Sequence, residues 1–409
     1  MEENCGQSNT FARDVNDAIF TIDCRWFGIS CGKDEKTLKV LQLTAHFRPN
    51  IGGVETHLDD LVNALTKRNW EVIVLTYRPL TTKISWKVYE KFKGLSVIRI
   101  PWIPGLFYPL VSFPLIEFIY LFPGLFITTP FVMLLSNPDV LHAHGLVAGF
   151  AGVFWGKIFR KRVVLSTHSI YGFPKKGLYR FFVKWIFNNA DFSLGLSKQA
   201  VGEILSLGID KRKVNNFTYW IDLEKFRKIE NAKVSLGWKE EFVVLFVGRL
   251  IAEKGLNELL ESVKSWDKSI RLIIIGAGPL EERIKQAAKQ YKNIRFLGVV
   301  NQDNLPIYYS GSDILIVPSI SEEGFGRVIL ESLACGVPVI GANRGAISEA
   351  LTSEVGKIID ISPEKIKEMV EYFYNHKEVL NKLKVKCRSF AERRYSEKNA
   401  EEVIEKYSK

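Results

Sequence analysis

Short runs rich in valine, isoleucine and leucine recur along this chain, many of them closed by a glycine turn and followed by a stretch of helical spacing. That alternation leaves few folds open. Parallel strands buried on both faces need crossover connections, and the usual crossover is a helix. The pattern starts at Val40–Ala45, turns at Gly52-Gly53 and continues with Val54, Leu58, Leu61, Val62 and Leu65 on one helical stripe. Glu71–Tyr77, Asp139–His142 and Arg162–His168 extend it. A second series reads Phe242–Val247, Ile270–Ile275, Ile294–Leu297, Ile314–Val317 and Val337–Ile340. Helical patterns lie between them at Leu256–Val263, Leu280–Gln290, Leu305–Ser310 and Arg327–Cys335. The fold class is α/β, with two Rossmann-like units in tandem.

The length of 409 residues suits two such domains, placed at 37–220 and 221–390. Residues 1–36 show little periodicity and form an N-terminal extension without an assigned role. That extension opens with Glu2 and Glu3 and lacks a basic region followed by an apolar core, so it does not read as a secretory signal. Cys5, Cys24, Cys31, Cys335 and Cys387 show neither disulfide nor metal spacing. A reducing, cytoplasmic setting is the expectation.

The chain carries a formal net charge of +11, unevenly spread. Between Pro101 and Ala190 the acids are Glu117 and Asp139, against Lys157, Arg160, Lys161, Arg162, Lys175, Lys176, Arg180 and Lys184. Aromatic residues such as Phe154, Trp155, Phe159, Phe181 and Trp185 are interleaved with these cations. Rings and long cationic side chains together suit an anionic membrane surface. A solvated charged face over an aromatic core is the plainer alternative. Nucleic acid would fit the charge only, because no nucleic-acid module is recognisable. Upstream, Trp102–Leu135 carries Glu117 as its only charge, but Pro104, Pro109, Pro114, Pro123 and Pro130 are expected to interrupt any spanning helix there. The stretch reads as a segment dipping into one leaflet or filling the domain core.

Three loops follow strands of the second unit and therefore lie at one sheet edge, where open α/β sheets bind ligands. Val247-Gly248-Arg249-Leu250 with Lys254-Gly255 offers two cations to a diphosphate. Gly276-Ala277-Gly278-Pro279 allows close backbone approach. Pro318–Pro338 runs from a strand end through Glu323, Gly324, Phe325 and Gly326 into a helix whose free N–H groups and dipole form a phosphate seat, with Glu331 inside that helix. In the first unit, His142 and His144 alternate on a strand end. They lack a third ligand of suitable spacing, so they read as histidines bonded to loop carbonyls, with no metal expected.

Taken in order, Gly52-Gly53-Val54-Glu55, His142-Ala143-His144-Gly145, Thr167-His168, Val247–Leu250 with Lys254-Gly255, Gly276–Pro279 and Glu323–Glu331 resemble the family 4 retaining glycosyltransferases of the GT-B fold. The likeness runs from Leu38 to Lys409. It implies two Rossmann-like domains facing a central cleft, with a C-terminal helix, about 391–409, returning to the first domain. By that resemblance Arg249 and Lys254 bind the donor diphosphate and stabilise it as leaving group. Glu323 contacts donor sugar hydroxyls, beside backbone from Phe325 and Gly326. Arg327 and Val328 give N–H groups to phosphate, Glu331 holds the ribose, Gly53 approaches the diphosphate and His168 meets the sugar. Gly276 and Gly278 complete the donor site, and backbone near Gly298–Asn301 reads the base. One departure is Tyr219-Trp220 before Ile221-Asp222, where the family often has Asn-Gly; the aromatic pair could narrow the cleft or touch acceptor.

The expected activity is transfer of a sugar, with retention, from a nucleoside-diphosphate sugar to a lipid-linked or glycan acceptor. No cofactor or metal is expected. The expected location is cytoplasmic, peripheral on the inner membrane face. The competing readings are a soluble acceptor, a nucleotide-sugar epimerase and a non-catalytic nucleotide-sugar binding subunit. Neither donor base, donor sugar nor oligomeric state follows from the sequence.

Overall fold

The computed structural model describes residues 37–408 except 51, 81–83, 104–113 and 240. Expectations for the 1–36 extension, with Cys5, Cys24 and Cys31, and for Pro104 and Pro109 lie outside the described residues.

The first sheet comprises β1 (Lys39–Thr44), β2 (Glu71–Tyr77), β3 (Tyr89–Phe92), β4 (Leu95–Ile100), β5 (Val140–His144), β6 (Arg162–Thr167), β7 (Phe192–Gly195) and β8 (Val214–Asn216). Its order is β3-β4-β2-β1-β5-β6-β7-β8, parallel except for the β3–β4 pair. The second sheet comprises β9 (Phe242–Val247), β10 (Ile270–Ile275), β11 (Ile294–Gly298), β12 (Ile314–Val317), β13 (Val339–Ala342) and β14 (Gly356–Ile359). It is parallel throughout and ordered β11-β10-β9-β12-β13-β14. In each sheet the direction of winding reverses beside the first strand, between β1 and β5 and between β9 and β12. Loops diverge at such a point and open a crevice at the carboxyl ends of the strands.

The chain crosses between the lobes twice, and the crossings are tied together. The helix Lys377–Arg394 buries Leu380 and Leu383 in the second lobe's core. Its final turn leads to Tyr395, whose carbonyl accepts the Ile221 N–H of the first crossing at 3.0 Å. The helix Ala400–Ser408 then packs against the first lobe, burying Val403, Ile404 and Tyr407. A single buried apolar cluster runs through both sheets and includes Phe217, Trp220, Phe325, Tyr395 and Tyr407.

The proline-rich apolar stretch corrects its expectation. Pro114–Ser136 is one continuous 23-residue helix with Pro123 and Pro130 inside it. A proline in a helix removes its own N–H and strands the carbonyl four residues back. For Pro130 that carbonyl belongs to Phe126, and the Trp155 indole N–H of the neighbouring helix Gly145–Ile158 donates to it at 2.8 Å. The Tyr77 hydroxyl donates to the Leu121 carbonyl and accepts the Leu125 N–H at 3.0 Å. Tertiary partners from a strand and a helix thus supply hydrogen bonds around the prolines.

Candidate functional site between the two sheet edges

Each lobe turns its crevice toward the other. From the second lobe, Arg249 follows β9 and is exposed, and Lys254 ends the short turn Ala252–Lys254. The Lys254 ammonium is ion-paired with Glu323 Oε1, and Ser319 Oγ donates to the same oxygen at 2.5 Å. Burial opposes charge on Glu323, but the nearby Lys254 ammonium, its hydrogen bond, Ser319 and Arg249 win, and the carboxyl is held below its usual range. The Glu323 main chain is fixed as well, since its carbonyl accepts the Ala346 N–H at 2.9 Å. Lys254, Glu323 and Arg249 therefore form one charged cluster.

The glycines of the β10 loop bring backbone onto backbone. Gly276 (φ 147°) and Gly278 (φ 157°) lie so close to the β9 loop that a Cβ would sit 1.8 Å from the Gly248 carbonyl oxygen and 2.6 Å from that of Leu250. Only glycine tolerates both that conformation and that approach. These two positions seat the β10 loop against the loop that carries Arg249.

From the first lobe, Gly53 opens the helix Gly53–Lys67 and is exposed; a Cβ there would be 3.9 Å from that of Arg327. Glu55 folds over Gly52 and bonds its own N–H, with burial raising its pKa against the lowering field of Arg249. Arg249 also lowers the His46 pKa, after burial, to about 4. Both effects place Arg249 opposite the loop that follows β1. Gly324 touches the first lobe directly, since a Cβ would meet the His168 carbonyl oxygen at 2.1 Å. Thus His168 meets the Glu323–Phe325 loop through its main chain.

The His168 ring is engaged elsewhere. His168 Nδ1 lies 2.9 Å from the Tyr219 hydroxyl, and Nε2 lies 3.0 Å from His144 Nδ1. His144 Nε2 is 2.7 Å from Gln42 Oε1, and Gln42 Nε2 donates to the Tyr407 hydroxyl at 3.3 Å. Tyr407 reaches His142 Nδ1 at 2.5 Å, and His142 Nε2 reaches Ser166 Oγ at 2.6 Å. An amide oxygen only accepts, so His144 carries its proton on Nε2 and accepts on Nδ1 from His168 Nε2–H. Tyr219 then donates to His168, and Tyr407 to His142. One neutral tautomer, Nε2–H, satisfies all three rings. Burial depresses all three pKa values, that of His168 to about 3. The bonds expected from His142 and His144 exist, but to side chains rather than loop carbonyls. Among the described residues no group of three His, Cys, Asp or Glu could hold a metal ion.

Past Glu323, Phe325 is buried edge-on against Tyr219 and Tyr395, and Gly326 (φ 73°) starts the helix Arg327–Ala334. Main-chain N–H groups in a first turn, those of Arg327 and Val328 here, lack intrahelical partners. The Arg327 guanidinium crosses the interface, donating to Asp60 Oδ2 at 2.5 Å and to the Trp220 carbonyl at 3.2 Å. Glu331 is buried, accepts from the Tyr309 hydroxyl at 2.8 Å and lies 3.3 Å from Arg327 Nε. Burial raises its pKa despite both partners. Tyr219 and Trp220 are buried in the inter-lobe core, which overturns a cleft-narrowing role; Trp220 is only 2% exposed. His57, Asp60, Gln42 and His46 went unnoticed in the sequence. His57, stacked on Tyr219 at 4.4 Å, interrupts an apolar helical stripe and carried the one signal that could have been read.

Comparison with known proteins agrees with this geometry. Residues 51–225 match Glycosyltransferase Family 4, and residues 228–405 match Glycosyl transferases group 1. An uncharacterized glycosyltransferase of Methanocaldococcus jannaschii is 27% identical over 349 residues, 78% of this chain and 84% of that protein. A phosphatidylinositol N-acetylglucosaminyltransferase subunit of Arabidopsis thaliana is 23% identical over 348 residues, 82% of this chain and 74% of that protein. Among solved structures, sucrose-phosphate synthase from Thermosynechococcus elongatus superposes with a TM-score of 0.77 at 19% identity, covering 91% of this chain and 98% of that one. Anabaena HepE in complex with UDP-glucose gives 0.70 at 17% identity, covering 91% and 99%. With both lobes matched in order and the motifs meeting at facing sheet edges, the chain belongs to glycosyltransferase family 4 and has the GT-B fold.

Proposed function

We propose that this glycosyltransferase moves a sugar, with retention, from a nucleoside-diphosphate sugar to a lipid-linked acceptor at the cytoplasmic membrane face, without a metal. The observation that carries the reading is the convergence of Arg249, Lys254 and the start of the helix Arg327–Ala334 opposite Gly53. When the glycosidic bond breaks, negative charge grows on the departing diphosphate, and fixed cations and N–H groups aimed there lower the barrier. Two cations suit the role that a divalent ion plays elsewhere. Glu323, held ionised beside Lys254, accepts from sugar hydroxyls, with His168 bordering the same pocket. Glu331, paired with Arg327, is assigned the ribose. Retention rests on family membership. The donor class is supported by the structural neighbour solved with UDP-glucose, and a lipid acceptor by the phosphatidylinositol-acting relative.

The test is turnover of a panel of nucleotide sugars by the full-length protein, with and without chelator. Full activity in chelator is expected; complete loss would refute metal independence. Donor consumption without any acceptor, yielding an isomerised nucleotide sugar, would favour an epimerase. Thermal shift against the same panel identifies the donor, because a ligand bound to the native state raises its stability by mass action.

A further inference from the structure

The helix Pro114–Ser136 is apolar on two opposite faces, and the described residues cover only one. Leu121, Leu125, Val132 and Met133 are buried in the first lobe's core. On the opposite face Ile119, Ile127, Phe131, Leu134 and Leu135 stand 59–66% exposed, at helical spacing. Only 33% of Phe118–Ser136 is buried. A helix apolar all round belongs in an environment apolar all round. Tyr77 and Trp155 hold this one against the sheet and the helix Gly145–Ile158, so the uncovered stripe is a fixed part of the surface. Ile158, which ends that neighbouring helix, is exposed as well.

At the C-terminal end of the stripe the chemistry changes sign. Lys161 Nζ donates to Asn137 Oδ1 at 2.7 Å, which ties the helix end to a cavity of about 440 Å³. Lys157, Arg160, Lys161, Arg162 and Lys213 line it, against one acid, Asp191. Asp191 Oδ2 is already occupied by the Val163 N–H at 2.7 Å. Among the described residues Lys157 and Arg160 have no acidic partner. Cations without counter-charges at the rim of an apolar strip complement one surface in particular, phospholipid acyl chains beneath anionic headgroups.

We propose that this face docks in the plane of an anionic phospholipid bilayer, the outward stripe of Pro114–Ser136 entering the acyl region and the Lys157–Arg160 cavity taking a headgroup phosphate. The cavity is separate from the donor cleft. Arg162 begins β6 and Thr167 ends it, so the two sites lie at opposite edges of the sheet, on the order of 20 Å apart at ~3.3 Å per residue. Docking there fixes the lobe on the lipid and leaves the cleft clear. The inference deepens the lipid-acceptor reading and rests on it for its purpose, though binding itself is measured without any acceptor.

The experiment is co-sedimentation of the full-length protein with phosphatidylcholine vesicles, with and without phosphatidylglycerol, over a range of salt. Wild type is expected to bind the anionic vesicles and to release as salt rises. Phe131→Glu with Leu134→Glu should weaken partitioning by roughly tenfold or more through lost apolar burial, and Lys157→Glu with Arg160→Glu by roughly tenfold or more, since one basic residue near the surface contributes about a factor of five. Equal binding by wild type and both variants overturns the proposal, as does equal binding to vesicles with and without phosphatidylglycerol. Inorganic phosphate is the second probe. If it stabilises wild type thermally while the Lys157/Arg160 variant still binds vesicles normally, the cavity serves a soluble anion and the headgroup assignment fails. If the Phe131/Leu134 variant converts a dimer to a monomer in gel filtration yet binds vesicles normally, the stripe is a self-association surface and the docking assignment fails. Donor-induced thermal shift is the folding control, because neither variant touches the cleft. Its loss in wild type, with vesicle binding intact, would count against the transferase reading and leave the docking surface standing.

Discussion

At the scale of single residues, the site turns on how one carboxylate is used. Glu323 draws on Lys254, Ser319 and, through its main chain, Ala346. That leaves Arg249 as the exposed cation of the cluster, with Lys254 ion-paired to Glu323; in the proposed reaction Lys254 also faces the diphosphate. Lys254→Ala should therefore lower turnover roughly tenfold or more, about 1.4 kcal/mol of barrier, while the protein still melts cooperatively. Unchanged kinetics would remove Lys254 from the mechanism. For His168 the family resemblance implies a contact with the donor sugar. Both its ring nitrogens are engaged, and its main chain is the part that meets the Glu323 loop at Gly324.

At the scale of elements, the helix Pro114–Ser136 shows how neighbours repair what a sequence breaks. Pro130 strands the Phe126 carbonyl, and Trp155 satisfies it from another helix. Trp155→Phe keeps an aromatic ring but leaves that acceptor without its donor, at an expected cost of roughly 1–2 kcal/mol, measured as a lower urea midpoint with an unchanged slope. A midpoint equal to wild type would show that the prolines need no such partner. The element boundaries themselves were largely legible. Glu71–Tyr77, Phe242–Val247, Ile270–Ile275, Ile314–Val317 and Leu256–Val263 fall as the apolar runs place them. Among the strands the pattern did not reveal, β3 is mostly exposed and β8 has only three residues, whereas six-residue β4 pairs on both sides and was missed despite its burial. A strand with little to bury leaves little hydrophobic pattern to read.

At the scale of the molecule, the Tyr407–Gln42–His144–His168–Tyr219 chain couples the returning C-terminal helix to the crossing between lobes. Its neutral rings make stability depend on pH in a defined direction. The unfolded chain protonates histidine near pH 6.5, whereas burial holds the folded pKa of His168 at about 3 and that of His144 well below its usual value. Below pH 6.5 the unfolded state binds more protons, so each such ring contributes stability at neutral pH that is lost as pH falls, by up to ~1.4 kcal/mol per unit. Asp59, raised to about 6 mainly by burial, and Glu331 act in the opposite sense. Comparing wild type with His144→Gln cancels those acids. The variant should be less stable at pH 7, and the gap between the two should narrow steadily toward pH 5. A gap independent of pH would mean that His144 already titrates in the folded chain as it does when unfolded.

What the sequence determined by itself was the periodic part and the ordered motifs. Burial of both sheet faces leaves a near-continuous apolar signature, and loops after parallel strands must share an edge, so the two lobes and the Arg249, Lys254 and Glu323 cluster could be read from spacing. Tertiary structure alone decided which polar groups were paired. Asp60 found Arg327 across the lobes, His144 found Gln42, and Trp155 found a carbonyl freed by Pro130. Those pairings join residues up to hundreds of positions apart through single hydrogen bonds. Nothing local in a side chain's neighbourhood specifies a partner that only folding brings within 3 Å.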